Sequence, residues 1–235
     1  MKTIGIIGGM SYESSIHYYE RINNQVNAIA GELNCARMII YNVNFQDIRK
    51  LMVNNEWDRI GEELANIANV LENAGADYIV IATNTMHKLA DYVQSKINIP
   101  LIHIADCTAK KCNERKITKV GLLGTRYTMT EDFLINRLKD NGLEVIVPND
   151  REEIDEIDRI IFDELCKGNV LDESKKYYIN VINKMIEKDK IEGIILGCTE
   201  IEMLIKDGDV KIPIFDTTQS HIDAIVDYSL EKNKN

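Results

Sequence analysis

The chain has 235 residues, 45% hydrophobic and 28% charged, enough to bury a core as one large α/β domain or two small ones. A net charge of −10 argues against nucleic acid or an anionic membrane as partner, although a locally positive pocket for a small acid stays compatible with it. Met1-Lys2-Thr3 runs straight into a strand with no signal-peptide core, and no stretch approaches ~20 apolar residues, so the expected location is cytoplasmic.

In chain order, Thr3-Ile4-Gly5-Ile6-Ile7 reads as a strand ending in Gly8-Gly9-Met10-Ser11. A helical pattern follows from about Ser14, with Ile16, Tyr19, Ile22, Val26 and Ile29 spaced by three and four. Strand residues 37–43 lead to a polar loop at 44–49, then to a helix from about Trp57 to Asn73 that stops at Gly75. Next come strand 78–82, a helix from His87 to about Ser95, and a short strand at 99–104. A helix from 106 to about Arg115 precedes strand 120–125, a helix from about Thr130 to Asn141 closed by Gly142, and strand 143–147. Residues 151–188 are helical with a break at Gly168-Asn169. Strand 194–197, strand 212–216 and a last helix to about Lys232 complete the chain. Strands alternating with helices predict parallel sheets covered on both faces.

The order of parts repeats. Gly5 matches Gly121, Thr83 matches Cys198 and Pro100 matches Pro213, at offsets of 116, 115 and 113 residues. We therefore expect two pseudo-symmetric α/β halves, each a parallel sheet flanked by helices. Ligands of such sheets bind beyond the carboxyl ends of the strands, so the expected active cleft lies between the domains, with Thr83 and Cys198 on opposite sides.

Five cysteines without a CxxC pair speak against a disulfide framework or a zinc site, and most read as small buried apolar residues. Cys198 differs because it follows strand Ile194-Ile195-Leu196-Gly197 and precedes a helical pattern, with Thr199 as candidate N-cap and Glu200 in the first turn. Helix N–H groups there are expected to stabilise a thiolate. Gly8-Gly9-Met10-Ser11 is neither GxGxxG nor a P-loop; it reads as a turn whose N–H groups hold a carboxylate. His87 and His221 stand at helix starts, His87 suited to orienting its loop, whereas His17 and His103 have no special place. No His/Asp/Glu cluster has metal-ligand spacing.

Gly-Ile-Ile-Gly-Gly-Met-Ser-Tyr-Glu-Ser-Ser at 5–15, Thr-Asn-Thr-Met-His at 83–87, Gly-Leu-Leu-Gly-Thr at 121–125, Gly-Cys-Thr-Glu at 197–200 and Pro-Ile-Phe-Asp-Thr at 213–217 carry a resemblance. Together they resemble the aspartate/glutamate racemase family. The resemblance implies cofactor-independent racemisation by two cysteines, one after each matching strand, a dicarboxylic amino acid as substrate, a homodimer, and two domains with the final helix returning to the first, which sets the expected bounds at 1–103 plus 209–235 and 104–208. The family's usual Cys-Asn-Thr reads Thr83-Asn84-Thr85 here, as in some other members. Arg49 stands near an arginine of the aspartate-specific members and would hold the distal carboxylate bidentately; Lys167 is a weaker candidate, one position after the family's expected cation, where this chain has Cys166.

Inverting an α-carbon needs a base on one face and an acid on the other. Cys198 fits the base and Thr83 the proton donor or relay, while Met10 and Ser11, with backbone N–H groups of Asn84, Thr85, Thr125 and Thr199, would bind the α-carboxylate and its enediolate-like transition state. Two further readings share these residues: an isomerase or decarboxylase of another small acid, of maleate or arylmalonate type, and a non-catalytic small-acid binding protein.

Overall fold

The computed structural model describes residues 1–230. Near-continuous runs of Val, Ile, Leu and Gly form the centre of two sheets, as expected for parallel strands covered on both faces. In the first unit, β1 (Ile4–Gly8), α1 (Tyr12–Ala30), β2 (Met38–Asn42), α2 (Phe45–Val53), α3 (Trp57–Asn73) and β3 (Tyr78–Ile81) are followed by a 3-10 turn, Thr85–Leu89, and α4 (Ala90–Gln94). Its strands lie parallel in the order β2-β1-β3. Ile4, Ile6, Tyr78 and Val80 pack under Tyr18, Ile22 and Val26 of α1 and under Ile222 and Ile225.

The second unit holds α5 (Ile104–Glu114), β4 (Lys119–Gly124), α6 (Arg126–Thr130), α7 (Asp132–Asp140), β5 (Glu144–Ile146), α8 (Arg151–Asp163), a 3-10 turn at Leu165–Lys167, α9 (Asp172–Asp189), β6 (Gly193–Gly197), α10 (Ile201–Leu204) and β7 (Ile214–Asp216). Its parallel order is β5-β4-β6-β7. One sheet face packs on α5 and α7 through Ala109, Cys112, Leu134 and Leu138, the other on α8 and α9 through Ile157, Ile161, Tyr178 and Ile182. The closing helix α11 (Thr217–Leu230) starts in this unit, which ends at Ser220, and from His221 on belongs to the first.

The repeat is visible bond by bond inside each unit. Gly5 lies opposite Ile79 and Gly121 opposite Ile194. Ile79 N–H donates to Pro100 O at 2.9 Å, and Ile194 N–H donates to Pro213 O at 3.0 Å. The two glycines have one cause: a Cβ on Gly5 would come within 2.9 Å of Ile79 Cδ1, and one on Gly121 within 2.7 Å of Ile194 Cδ1. Helix capping repeats as well, with Ser11 Oγ accepting from Ser14 N–H at 3.3 Å and Thr125 Oγ1 from Thr128 N–H at 3.4 Å.

Several expectations need correction. Residues 44–49 are not a loop: Asn44 Oδ1 accepts from Gln46 N–H and starts α2, which buries Ile48 and Met52. The face of α1 is Ser14, Ser15, Tyr18, Ile22 and Val26, leaving Ile16, Tyr19 and Ile29 exposed. The strand expected at 99–104 is a single bridge from Leu101 to Ile79, because Pro100 has no N–H to donate and α5 already begins at Ile104. The helix expected over 130–141 is α7, but a further short helix, α6, precedes it across extended backbone at Glu131. Residues 209–220 stay with the second unit, because β7 pairs with β6, so the chain returns to the first unit at 221 rather than 209. Of the five cysteines, Cys107, Cys112 and Cys198 are buried, Cys166 is half-buried and Cys35 is exposed. The expected helix end at Lys232 and the last residues of the 209–235 segment lie outside the described residues. Among the described residues no helix is long and apolar enough to cross a membrane.

Candidate active site

At the first unit's strand ends, the β1–α1 turn is fixed from within. Gly9 adopts φ +92°, and a Cβ there would collide with the Val43 carbonyl. Its N–H donates to Ser15 Oγ at 2.7 Å, and that hydroxyl donates on to Ser11 O at 3.1 Å. The Gly9 donor is therefore turned into the fold rather than toward a ligand, while Met10 and Ser11 are buried beside it. Two residues past β3, Thr83 is half-buried, and Asn84 and Thr85 are buried.

His87 holds that segment twice. Its backbone N–H donates to Asn84 O at 3.0 Å, and its ring Nδ1–H donates to Thr83 O at 2.8 Å. The ring lies edge-on to His103 with centroids 4.6 Å apart and to His221 at 5.7 Å. His221 must carry its proton on Nε2, since that atom meets Ile102 O at 2.9 Å; Nδ1 then accepts from Tyr18 Oη–H at 2.8 Å. Burial, with the neighbouring His87, pushes His221 down to about 3, so its ring is neutral. The expectation that His103 has no special place fails. No sequence spacing links residues 87, 103 and 221; the sheet brings them together.

At the second unit's strand ends, Gly124 pairs with Gly197, so Thr125 and Cys198 each stand one residue beyond a matched couple. Cys198 is 7% exposed, and its Sγ–H donates to Glu200 Oε2 at 3.0 Å. Thr199 Oγ1–H donates to the same oxygen at 2.6 Å. This overturns two expectations. Thr199 does not cap α10; Glu200 is the capping residue, without a side-chain cap bond, and α10 has only four residues. Nor is the thiol made acidic. Burial, then the charge of Glu200, pushes Cys198 well above the ordinary thiol range. The Glu200 carboxylate is the site residue that reading for helix capping missed; its signal was an acidic residue two places after the cysteine.

Glu202 in α10 and Asp216 at the end of β7 are hydrogen-bonded to each other. Burial, reinforced by Glu202, raises Asp216 to about 8, while Asp216 Oδ1 accepts from Thr218 N–H at 2.8 Å at the start of α11. Cys107 and Cys112 are raised to about 12 by burial, as inert core thiols are. Arg49 lies on the exposed side of α2, not in a loop, and Lys167 is exposed and paired with Asp163 at 3.4 Å. Among the described residues no group of His, Cys, Asp and Glu is arranged to hold a metal ion.

A model of the Asp/Glu/Hydantoin racemase family matches residues 7–225. The chain belongs to this family. A broad-specificity amino-acid racemase, RacX, of Bacillus subtilis (strain 168) is 23% identical over 220 residues, spanning 92% of each chain. Among solved structures, PH1733, an aspartate racemase homologue from Pyrococcus horikoshii OT3, is 42% identical with TM-score 0.85, over 98% of this chain and 100% of that one. A candidate Asp/Glu racemase from Yersinia pestis is 45% identical with TM-score 0.92, over 98% and 100%. Membership in the racemase family supports racemase activity on amino acids, and the α/β architecture of two parallel sheets is the one these racemase structures share.

Proposed function

We propose that this racemase inverts an acidic amino acid, aspartate or glutamate, at its α-carbon without a cofactor, and that the reaction is unequal on its two faces. The observation that carries the reading is the duplicated strand end, which bears Cys198 in one unit and Thr83 in the other. The names of the similar proteins, one an aspartate racemase homologue, support the substrate class.

On the L face, the thiol proton of Cys198 moves to Glu200 Oε2, 3.0 Å away, and the thiolate takes the α-proton. The carbanion's charge spreads into the α-carboxylate, held by Met10, Ser11 and backbone N–H groups of Asn84, Thr85, Thr125 and Thr199. On the other face, Thr83 Oγ–H gives a proton to the carbanion and regains one from water, since a hydroxyl can donate and accept together, while the proton held by Glu200 passes to solvent and neutralises the hydroxide so formed. Thr83 is a poor base in the reverse sense, because an alkoxide is very costly near pH 7. Arg49 holds the distal carboxylate.

Proton NMR of L-aspartate, L-glutamate, L-alanine and maleate in deuterium oxide, with chiral chromatography of the products, tests the proposal. Loss of the α-proton signal with growth of the D-enantiomer is expected for aspartate or glutamate. Maleate turnover with inert amino acids would contradict it, as would binding without exchange.

A further inference from the structure

We propose that His87 is a positioning residue for proton delivery at Thr83, acting by clamping the Thr83–Asn84 peptide from inside the first unit. The inference rests on the function proposed above and extends it to a residue that touches no substrate.

The argument is geometric. A side chain that must hand a proton to one face of a carbanion needs its backbone held to within a fraction of an ångström. Thr83 lies beyond the last ladder bond of β3, where Ala82 N–H donates to Ile7 O at 3.0 Å, so the sheet no longer fixes it. Two bonds from His87 take over, one from the backbone to Asn84 O and one from the ring to Thr83 O. The ring is oriented in turn by His103 and by His221, and His221 is locked between Tyr18 on α1 and Ile102 O. Ile102 is tied back to the sheet, its N–H donating to Ile79 O at 3.0 Å. The strand end is thus connected to the sheet's own ladder through a chain of named contacts.

The repeat supports a role tied to the strand end. Four residues after Cys198, at the offset that matches Thr83 to Cys198, stands Glu202 in the place of His87. Its partner Asp216 occupies the place of His103, at the offset that matches Pro100 to Pro213. At matching positions the two units therefore carry a pair of like titratable groups, imidazoles in one and carboxyls in the other.

The test separates exchange from inversion. L-aspartate and L-glutamate are incubated in deuterium oxide with wild type, His87→Ala, His87→Asn and Cys198→Ala, and both α-deuteration and D-enantiomer formation are followed. His87→Ala should lower L-side exchange by about tenfold at most, through the Asn84 N–H that the clamped peptide carries, while inversion falls on the order of a hundredfold further, the cost of misplacing a reacting group by about an ångström. His87→Asn, whose amide N–H replaces Nδ1–H, should restore most of the inversion. Retained exchange doubles as proof that the variant is folded; if His87→Ala does not fold, His87→Gln, whose donor is displaced from the Thr83 carbonyl, replaces it. Exchange and inversion falling together, neither falling, or no rescue by asparagine would each overturn the inference. Failure of the underlying reading has a different signature: no exchange by wild type, or exchange that survives Cys198→Ala.

Discussion

The proposed mechanism sets two conflicting demands at Cys198, since a base there must be a thiolate whereas burial beside a carboxylate favours the thiol. In that mechanism Glu200 would reconcile them by accepting the proton across the 3.0 Å bond, thiol and carboxylate acting as one unit that shares a proton. Two readouts should then move in opposite directions in Glu200→Gln. Alkylation of Cys198 near neutral pH, followed by peptide mass spectrometry, should quicken because the opposing charge is gone. L-side α-proton exchange should fall by about 10²–10⁴, the usual worth of general acid–base assistance. In wild type, alkylation of Cys198 should titrate above the ~8.5 of a free thiol; titration below it would restore the helix-stabilised thiolate and remove Glu200 from the mechanism. Arg49 belongs to the same scale. If it holds the distal carboxylate, Arg49→Ala should lower kcat/KM for aspartate or glutamate by about tenfold or more, as for a lost charge-assisted bond, and leave alanine unchanged. Equal effects on all three substrates would return it to the solvated face of α2.

The elements that position these residues were legible where periodicity and punctuation agreed. β1, β3 and β6 are unbroken apolar runs, and Gly75 and Gly142, at φ +97° and +88°, follow α3 and α7 as helix-ending glycines do. α2 was hidden because Asn44, which looks like a turn residue, is its cap. The face of α1 was misjudged because Tyr18, flanked by the more conspicuous Ile16 and Tyr19, is the residue that meets His221. That contact gives the α1–α11 pairing a pH dependence. His221 is held neutral in the fold at about 3 against an ordinary 6.5, so the unfolded chain binds the extra proton between those values. Its contribution to stability is present above about 6.5 and lost as pH falls toward about 3. Urea midpoints measured from about pH 7 to about pH 4 should drop in wild type and drop less steeply in His221→Gln. Equal slopes would mean that His221 is protonated without cost.

On the scale of the whole molecule, the duplication could be read from three landmarks, Gly5/Gly121, Thr83/Cys198 and Pro100/Pro213, because each marks a place where backbone geometry leaves little choice. The paired imidazoles and carboxyls could not be read, since His103 and Asp216 reach His87 and Glu202 only once the sheets have formed. Nor could the state of Cys198, which depends on burial and on a carboxylate two residues away. The central claim is that equivalent strand ends bearing unequal groups make an unequal racemase. Initial rates of α-proton exchange in deuterium oxide, taken separately from L- and D-aspartate and from L- and D-glutamate with wild type, Cys198→Ala and Thr83→Cys, test it most directly. The account predicts faster exchange from the L side in wild type, its loss in Cys198→Ala, and faster D-side exchange in Thr83→Cys, with the equilibrium between enantiomers unchanged throughout. Equal wild-type rates from both enantiomers, or a faster D side, would contradict it.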